Sequence, residues 1–294
     1  MNKVILPDSE FRKNKLDELI QRHPTLEATV IGHSMLGRDI DCFRIGKGKR
    51  YILAVGAHHG MEHITTLALY EFIDFLAGKE SAGASYAGVN IPYILSKFSF
   101  FVIPCANLDG VELQIHGAAE GPMYLRQMRM NGSADFSNWQ ANARGVDLNH
   151  NYDFGFAEYK RIEAAEEILP GKTRFSGEYP ESEPETKAIA DLIRALAPAA
   201  VVSLHTQGEE IFSMPKEERV DRIAQRIAKR IGYKHTVPKR HAAYGGLSDF
   251  AGSALLIPSF TVELGRGENP LPTKELPSIC ECVYKLLILL PTYL

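Results

Sequence analysis

The segment Gly56-Ala-His-His-Gly-Met-Glu-His63 gathers imidazole and carboxylate groups where a strongly apolar run ends. Imidazole nitrogen and carboxylate oxygen are donors that zinc takes, and a hydrolytic centre uses three protein ligands so that water can occupy the fourth position. His59 and Glu62 lie three residues apart where the chain leaves a strand and turns into a helix, so both can reach one ion. His205 closes another apolar run, Val201–Leu204, and completes a His-Glu-His set from a neighbouring strand. A further candidate, Glu263, ends Phe260-Thr-Val-Glu-Leu264. A carboxylate there needs a partner, because burying it alone is costly. Beside a metal it reads as a general base for the attacking water; otherwise it reads as half of an ion pair with a cation such as Arg266. The letters His59-Gly-Met-Glu62-His63 also fit H-x-x-E-H, in which both histidines share a helical face and the glutamate is the base. A glycine inside that helix, and a strand running straight into His58-His59, weigh against it.

Such residues act together only if the elements carrying them end side by side. The apolar runs Tyr51–Ala57, Phe98–Cys105, Ala200–Leu204 and Ser259–Leu264 are short and rich in β-branched or aromatic residues, which predicts central strands buried on both faces. Ala28–Ile31 and Ile40–Ile45 read as two more strands around a turn at Gly37-Arg38. Helical spacing appears at Thr65–Leu76, Glu183–Leu196, Glu217–Ile231 and Thr273–Leu289. It appears also at Glu10–Arg22, with Phe11, Leu16, Leu19 and Ile20 apolar and His23-Pro24 as the stop. The alternation predicts an α/β fold, a three-layer α/β/α sandwich around a mixed, mostly parallel twisted sheet, with residues 1–294 forming one catalytic domain. In open sheets of this kind sites form beyond the carboxyl ends of strands. His58/His59, His205 and Glu263 all fall at such ends. Asn107 to Tyr159, rich in Gly and Asn and weak in periodicity, reads as a long functional loop.

Composition excludes several classes. Hydrophobic residues make up 45% and charged residues 23% of the 294, the balance of a soluble globular protein with a sizeable core. A net charge of -3 offers no footprint for nucleic acid. In the Lys/Arg-rich stretch from Lys216 to Arg240, Val220, Ile223, Ile227 and Ile231 recur at helical spacing, so its charges read as a solvated helix face. No segment has the apolar length of a membrane span or a secretory leader, so no membrane partner is expected. Cys42, Cys105, Cys280 and Cys282 sit in apolar surroundings without zinc-knuckle spacing and read as buried thiols of a reducing compartment, the cytoplasm. The oligomeric state is left open.

These motifs carry a family resemblance along nearly the whole chain. The sequence resembles the zinc metallocarboxypeptidases of the carboxypeptidase A type. The landmarks are Ile31-Gly-His-Ser-Met-Leu-Gly-Arg38, the H-x-x-E of residues 57–65, Asn107-Leu-Asp-Gly110, Gly145-Val-Asp-Leu-Asn-His-Asn-Tyr-Asp153, Ser203-Leu-His205 and Ser259-Phe-Thr-Val-Glu-Leu264. The resemblance implies a peptide-bond hydrolase with a peptide substrate and one zinc ion on His59, Glu62 and His205. It implies a general base/acid at Glu263, a carboxylate at Asp147 that orients His59, and Asn149 helping to hold a substrate carboxylate.

Departures bear on substrate. The family's carboxylate-clamping arginine falls at His150, and an imidazole cannot make the bidentate fork of a guanidinium. The family's oxyanion arginine follows a tryptophan; here Trp139 precedes Gln140, leaving Arg129 or Arg126 as substitutes. Its mobile tyrosine falls at His241, with Tyr244 adjacent to Gly245-Gly246. Ser248, at the specificity position, is small and neutral, and Met61 replaces an arginine often found inside the motif. Short bacterial members with altered clamps, the γ-D-glutamyl-diaminopimelate and murein-peptide peptidases, are the nearest in pattern, so a cell-wall peptide is the expected substrate. The alternatives are a zinc deacylase of the aspartoacylase or succinylglutamate desuccinylase type, against which the helical ending argues, and a non-catalytic zinc-binding relative, against which Glu263 argues.

Overall fold

The structure is a computed structural model that describes residues 5–79, 83–237 and 244–294. Helix α1 (Ser9–Arg22) starts on the Asp8 side chain, which accepts the Phe11 N–H, and leads into β1 (Glu27–His33) and β2 (Asp39–Ile45). Then come β3 (Arg50–Val55), α2 (Ile64–Ala77), the small hairpin β4 (Ser85–Tyr86) and β5 (Val89–Asn90), α3 (Ile91–Lys97) and β6 (Phe98–Ile103). Helices α4 (Leu108–His116), α5 (Tyr124–Asn131), α6 (Phe156–Ala165) and α7 (Pro184–Leu196) precede β7 (Ala200–His205) and β8 (Glu210–Met214). The chain ends with α8 (Glu218–Ile231), β9 (Lys234–His235), the single turn α9 (Leu247–Asp249), β10 (Ser259–Glu263) and α10 (Leu276–Leu289).

Eight of these strands form one sheet in the order β1-β2-β6-β3-β7-β10-β8-β9. The pairs β3–β6, β3–β7, β7–β10 and β8–β9 are parallel, and the other three are antiparallel. From β3 the chain goes to β6 on one side and later returns to β7 on the other. The carboxyl ends of β3 and β7 therefore border a topological switch point, where the connections diverge and leave a crevice. Val202 and Leu204 of β7 and Phe260 and Val262 of β10 pack into a core with α2, α8 and α10. Leu53, Val55 and Val201 pack on the opposite face with α4 and α7. Side chains alternate along a strand, so Ser203 and His205, like Thr261 and Glu263, belong to this second face.

The four central strands and the helices lie within a few residues of their expected places, and Cys42, Cys105, Cys280 and Cys282 are buried, free thiols. On α8, Val220, Ile223 and Ile227 are buried beneath its charged face. Two expectations need correction. The presumed loop from Asn107 to Tyr159 contains α4, α5, a 3-10 turn at Leu148–His150 and the start of α6. Helix α5 buries only Gln127, so it has no apolar stripe for periodicity to reveal. On α1, Ile20 is exposed and Arg12 is buried instead, pairing with Glu112 of α4 at 3.1 Å. Strands β8 and β9 extend the sheet beyond the sequence-based assignment. After β10 the chain forms α10, as expected for the peptidase pattern.

One buried carboxyl gives the fold a pH dependence. Glu185, in the first turn of α7, accepts the Met35 N–H at 3.0 Å, and burial pushes its carboxyl from 4.5 up to about 7. Between those values the folded state keeps a proton that the unfolded chain has lost, so this group makes stability fall as pH rises through the window and level off above it. Glu185→Gln is expected to remove that component, on the order of 1–3 kcal/mol. Denaturant midpoints measured from about pH 5 to about pH 8 test this: an equal decline in wild type and variant would assign the pH dependence elsewhere.

Candidate active site and metal centre

Beyond β3 the backbone is shaped by close approaches. A Cβ on Gly56 would lie 2.8 Å from the Pro104 carbonyl oxygen. Ala57 takes φ 47°, a left-handed conformation that costs a residue with a side chain about 1 kcal/mol. It is held there from both sides: its N–H donates to Thr65 Oγ1 and its carbonyl accepts the Asn107 N–H, each at 2.9 Å. A Cβ on Gly60 would lie 2.3 Å from the Gly110 carbonyl oxygen, so only glycine lets this turn sit on α4. Asn107 clamps the two segments. Its Oδ1 accepts the Gly110 N–H at 2.9 Å, and its Nδ2 donates to the carbonyls of His58 at 3.0 Å and Gln140 at 2.8 Å. The Asn107-Leu-Asp-Gly110 landmark is thus a support for the loop that carries His59 and Glu62.

His59 Nδ1 lies 2.9 Å from Glu62 Oε1, and His205 Nδ1 lies 2.9 Å from Glu62 Oε2. One ligand atom from each residue lies within 4.8 Å of the others. Two imidazoles and a carboxylate turned toward one point make a three-donor set that fits a zinc ion with one position open. His59 Nε2 faces Asp147 Oδ1 at 3.2 Å. Asp147 is itself fixed by the backbone N–H groups of Asn149 at 3.1 Å and Arg174 at 3.0 Å. Burial alone would raise the carboxyls of Asp147 and Glu62, yet the facing histidines hold both well below their ordinary range. His59 is extended (φ -103°, ψ 133°), so the H-x-x-E-H helix does not form. His63 is buried with Nδ1 unpartnered, and burial lowers it to about 4.

The parallel ladder sets Glu263 directly across from His205, on the same sheet face. Burial pushes its carboxyl up to about 7, against the opposing pull of His205. Arg266 pairs with Glu209 at 2.5 Å, so the alternative reading of Glu263 as half of an ion pair with Arg266 is not what the structure shows.

The other sequence candidates divide. Asn149 borders the centre, its Oδ1 accepting the Leu247 N–H at 3.2 Å. The ring of His150 stacks on Tyr159 at 4.0 Å and bonds through Nδ1 to the Tyr244 carbonyl at 2.8 Å. Burial lowers its pKa, leaving it uncharged near neutrality. Tyr244 packs closely on Gly155, where a Cβ would meet its ring at 2.6 Å. His241 lies outside the described residues. The Ser248 hydroxyl accepts from Thr261 Oγ1 at 2.8 Å, so a polar pair lies two residues before Glu263 on its face. Arg126 and Arg129 are exposed on α5, and neither bonds to a metal ligand among the described residues. Gln140 Oε1 accepts from Thr173 at 2.6 Å, and its Nε2 lies 3.8 Å from the Met61 sulfur. A groove of about 880 Å³ lies away from this centre, at the amino ends of β3 and β6.

Sequence reasoning missed the segment 172–176, which supports the site from behind. The Lys172 carbonyl accepts from Gln140 and Ala141, the Arg174 N–H holds Asp147, and the Phe175 carbonyl accepts the Asp147 N–H at 2.7 Å. Backbone groups make most of these bonds, so side-chain types left no signal. His58, Tyr152 and Ser203 also lie behind the ligands, and the polar His58 at a strand end was the visible clue.

The sheet and its His-Glu-His centre define a zinc-dependent hydrolase. A profile described as zinc carboxypeptidase matches residues 13–285, and the chain belongs to that family. It is 31% identical over 281 residues to gamma-D-glutamyl-L-diamino acid endopeptidase 1 of Lysinibacillus sphaericus, spanning 92% of this chain and 69% of the relative. Bovine carboxypeptidase B is 24% identical over 290 residues, spanning 90% of this chain and 65% of its own. Among solved structures, bovine thrombin-activatable fibrinolysis inhibitor superposes with a TM-score of 0.71 at 19% identity, covering 99% of this chain and 97% of that one. The murein-tripeptide amidase of Escherichia coli O157 gives 0.57 at 21% identity, covering 89% and 91%. At these identities the two superpositions speak for the fold alone.

Dialysed protein is expected to hold one zinc per chain, and His205→Ala to hold none. Asp147→Asn keeps the shape of the side chain but loses the charge facing His59, and should weaken zinc binding about 10–100-fold. Competition with a chromogenic chelator measures this; an unchanged affinity would separate Asp147 from the ligation of His59.

Proposed function

We propose that this zinc peptidase hydrolyses the bond between a γ-D-glutamyl residue and a diamino acid such as diaminopimelate in cell-wall peptides. The observation that carries the reading is His150. Where the family's clamp presents a guanidinium, this chain presents an uncharged imidazole, stacked on Tyr159 and tied to the Tyr244 carbonyl. A ring so engaged cannot grip an ordinary C-terminal carboxylate through two parallel charged hydrogen bonds. The polar Ser248–Thr261 pair suits a substrate whose side chain is itself polar, and the Lysinibacillus relative is named for a γ-D-glutamyl-L-diamino acid bond.

Bound zinc would be held by His59, Glu62 and His205, and would supply Lewis acidity that acidifies water and polarises the scissile carbonyl. Glu263 takes the proton from the attacking water and delivers it to the leaving amine, a task for which a carboxyl near pH 7 is well matched. Asp147 keeps His59 oriented, and Asn149 contributes its amide to substrate positioning.

Amino-acid release from α-linked peptides with free C-termini and from γ-D-glutamyl-diaminopimelate peptides, with and without chelator, tests the assignment. Chelator-sensitive cleavage of the second set alone is expected. Equal cleavage of the α-linked set would remove the substrate reading and require another group in place of the clamp. Glu263→Gln should retain zinc while turnover falls about 10²–10⁴-fold; undiminished turnover would remove Glu263 from the role of base.

A further inference from the structure

Behind the metal ligands, away from the crevice, runs a file of buried polar groups that ligation and proton transfer leave unexplained. His205 points Nδ1 at Glu62, and its other nitrogen, Nε2, lies 3.0 Å from Ser203 Oγ. Ser203 Oγ lies 3.4 Å from His58 Nδ1, and His58 Nε2 lies 2.9 Å from the Tyr152 hydroxyl. His58 and Tyr152 are fully buried and Ser203 is 1% exposed. The His58 ring also stacks on His205, with centroids 5.6 Å apart and planes 21° from parallel. A histidine in the core beside apolar Val55 and Ala57 is unusual, because each buried ring nitrogen needs a partner.

The file is complete in either of two directions. In one, His205 Nε2–H donates to Ser203, Ser203 O–H donates to His58 Nδ1, and His58 Nε2–H donates to Tyr152. His205 Nδ1 then carries a lone pair. In the other, every donor and acceptor is exchanged: Tyr152 donates to His58, His58 to Ser203 and Ser203 to His205 Nε2. His205 Nδ1 then carries the proton and cannot bind a metal. A cation at Nδ1 selects the first direction, and that direction requires an acceptor beyond Ser203.

We propose that His58 is a positioning residue for the metal, acting through Ser203 to hold His205 in the tautomer whose Nδ1 faces the ion. It does for His205, through a neutral relay, what the Asp147 carboxylate does for His59. Without an acceptor at position 58 the Ser203 hydroxyl has its nearest remaining partner in His205 Nε2, and donation there favours the non-binding tautomer. The proposal rests on the assignment of His59, Glu62 and His205 as zinc ligands.

The test measures zinc affinity by chelator competition and the visible spectrum of the cobalt(II)-substituted protein, together with thermal melts of the metal-free form. His58→Leu, which fills the site but accepts no hydrogen bond, should weaken zinc about 10–100-fold and alter the cobalt bands. His58→Asn, with an acceptor oxygen near the place of Nδ1, should recover much of the loss. Ser203→Ala removes a single oxygen from β7, keeps the core packing, and should fall in the range of His58→Leu even if that variant folds poorly. Variants that melt lower but keep wild-type zinc affinity and an unchanged cobalt spectrum would reduce the file to a structural feature and overturn the proposal. Failure of the wild-type protein to bind zinc would instead overturn the ligand assignment itself.

Discussion

Two imidazoles converge on one buried carboxylate, and most of the surrounding structure exists to hold that meeting in place. Glu62 receives His59 on one oxygen and His205 on the other, each at 2.9 Å. A carboxylate so far from water is tolerable only when paired. His205 ends β7 and His59 lies on the loop that follows β3, so their approach depends on β3 and β7 being neighbours in parallel register. The switch point of the sheet lies between them, and the ligand side chains meet just beyond the strand ends.

Holding that arrangement places polar groups where a sheet face would otherwise be apolar. Ser203 and His205 on β7 stand beside Thr261 and Glu263 on β10, register for register. Three of them join bonded sets: Ser203 and His205 with His58, and Thr261 with Ser248. Fully satisfied polar groups in a low-dielectric interior keep one geometry, because any departure leaves a donor or acceptor unpaired. The glycines at 56 and 60 serve the same end through close approach, allowing the metal loop to press against its neighbours where a methyl group would not fit.

Electrostatics separates the chemistry from the recognition. Glu263, raised to about 7 chiefly by burial, is suited to exchange a proton near neutrality. His150, lowered by burial and stacked on Tyr159, contributes no charge where the family's arginine clamp would lie. Arg144 and Arg174 are committed to Glu183 and Glu166.

Much of this could be read from the chain before any coordinates. Apolar runs ending at His59, His205 and Glu263 announced both the sheet and the site, because a buried strand is a continuous local pattern and a polar residue at its end stands out. The departure at His150 was visible as a change of residue type. Tertiary structure decided the rest: that His150 is uncharged and stacked, that Arg266 pairs with Glu209 instead of Glu263, that α5 leaves Arg126 and Arg129 in solvent, and that segment 172–176 braces Asp147. These depend on partners distant in sequence and often on backbone groups, which every residue carries alike. Residue type and spacing determine which donors are offered and where strands end; only packing determines which donors meet, because desolvation and hydrogen-bond geometry act between atoms whose proximity the local sequence does not encode.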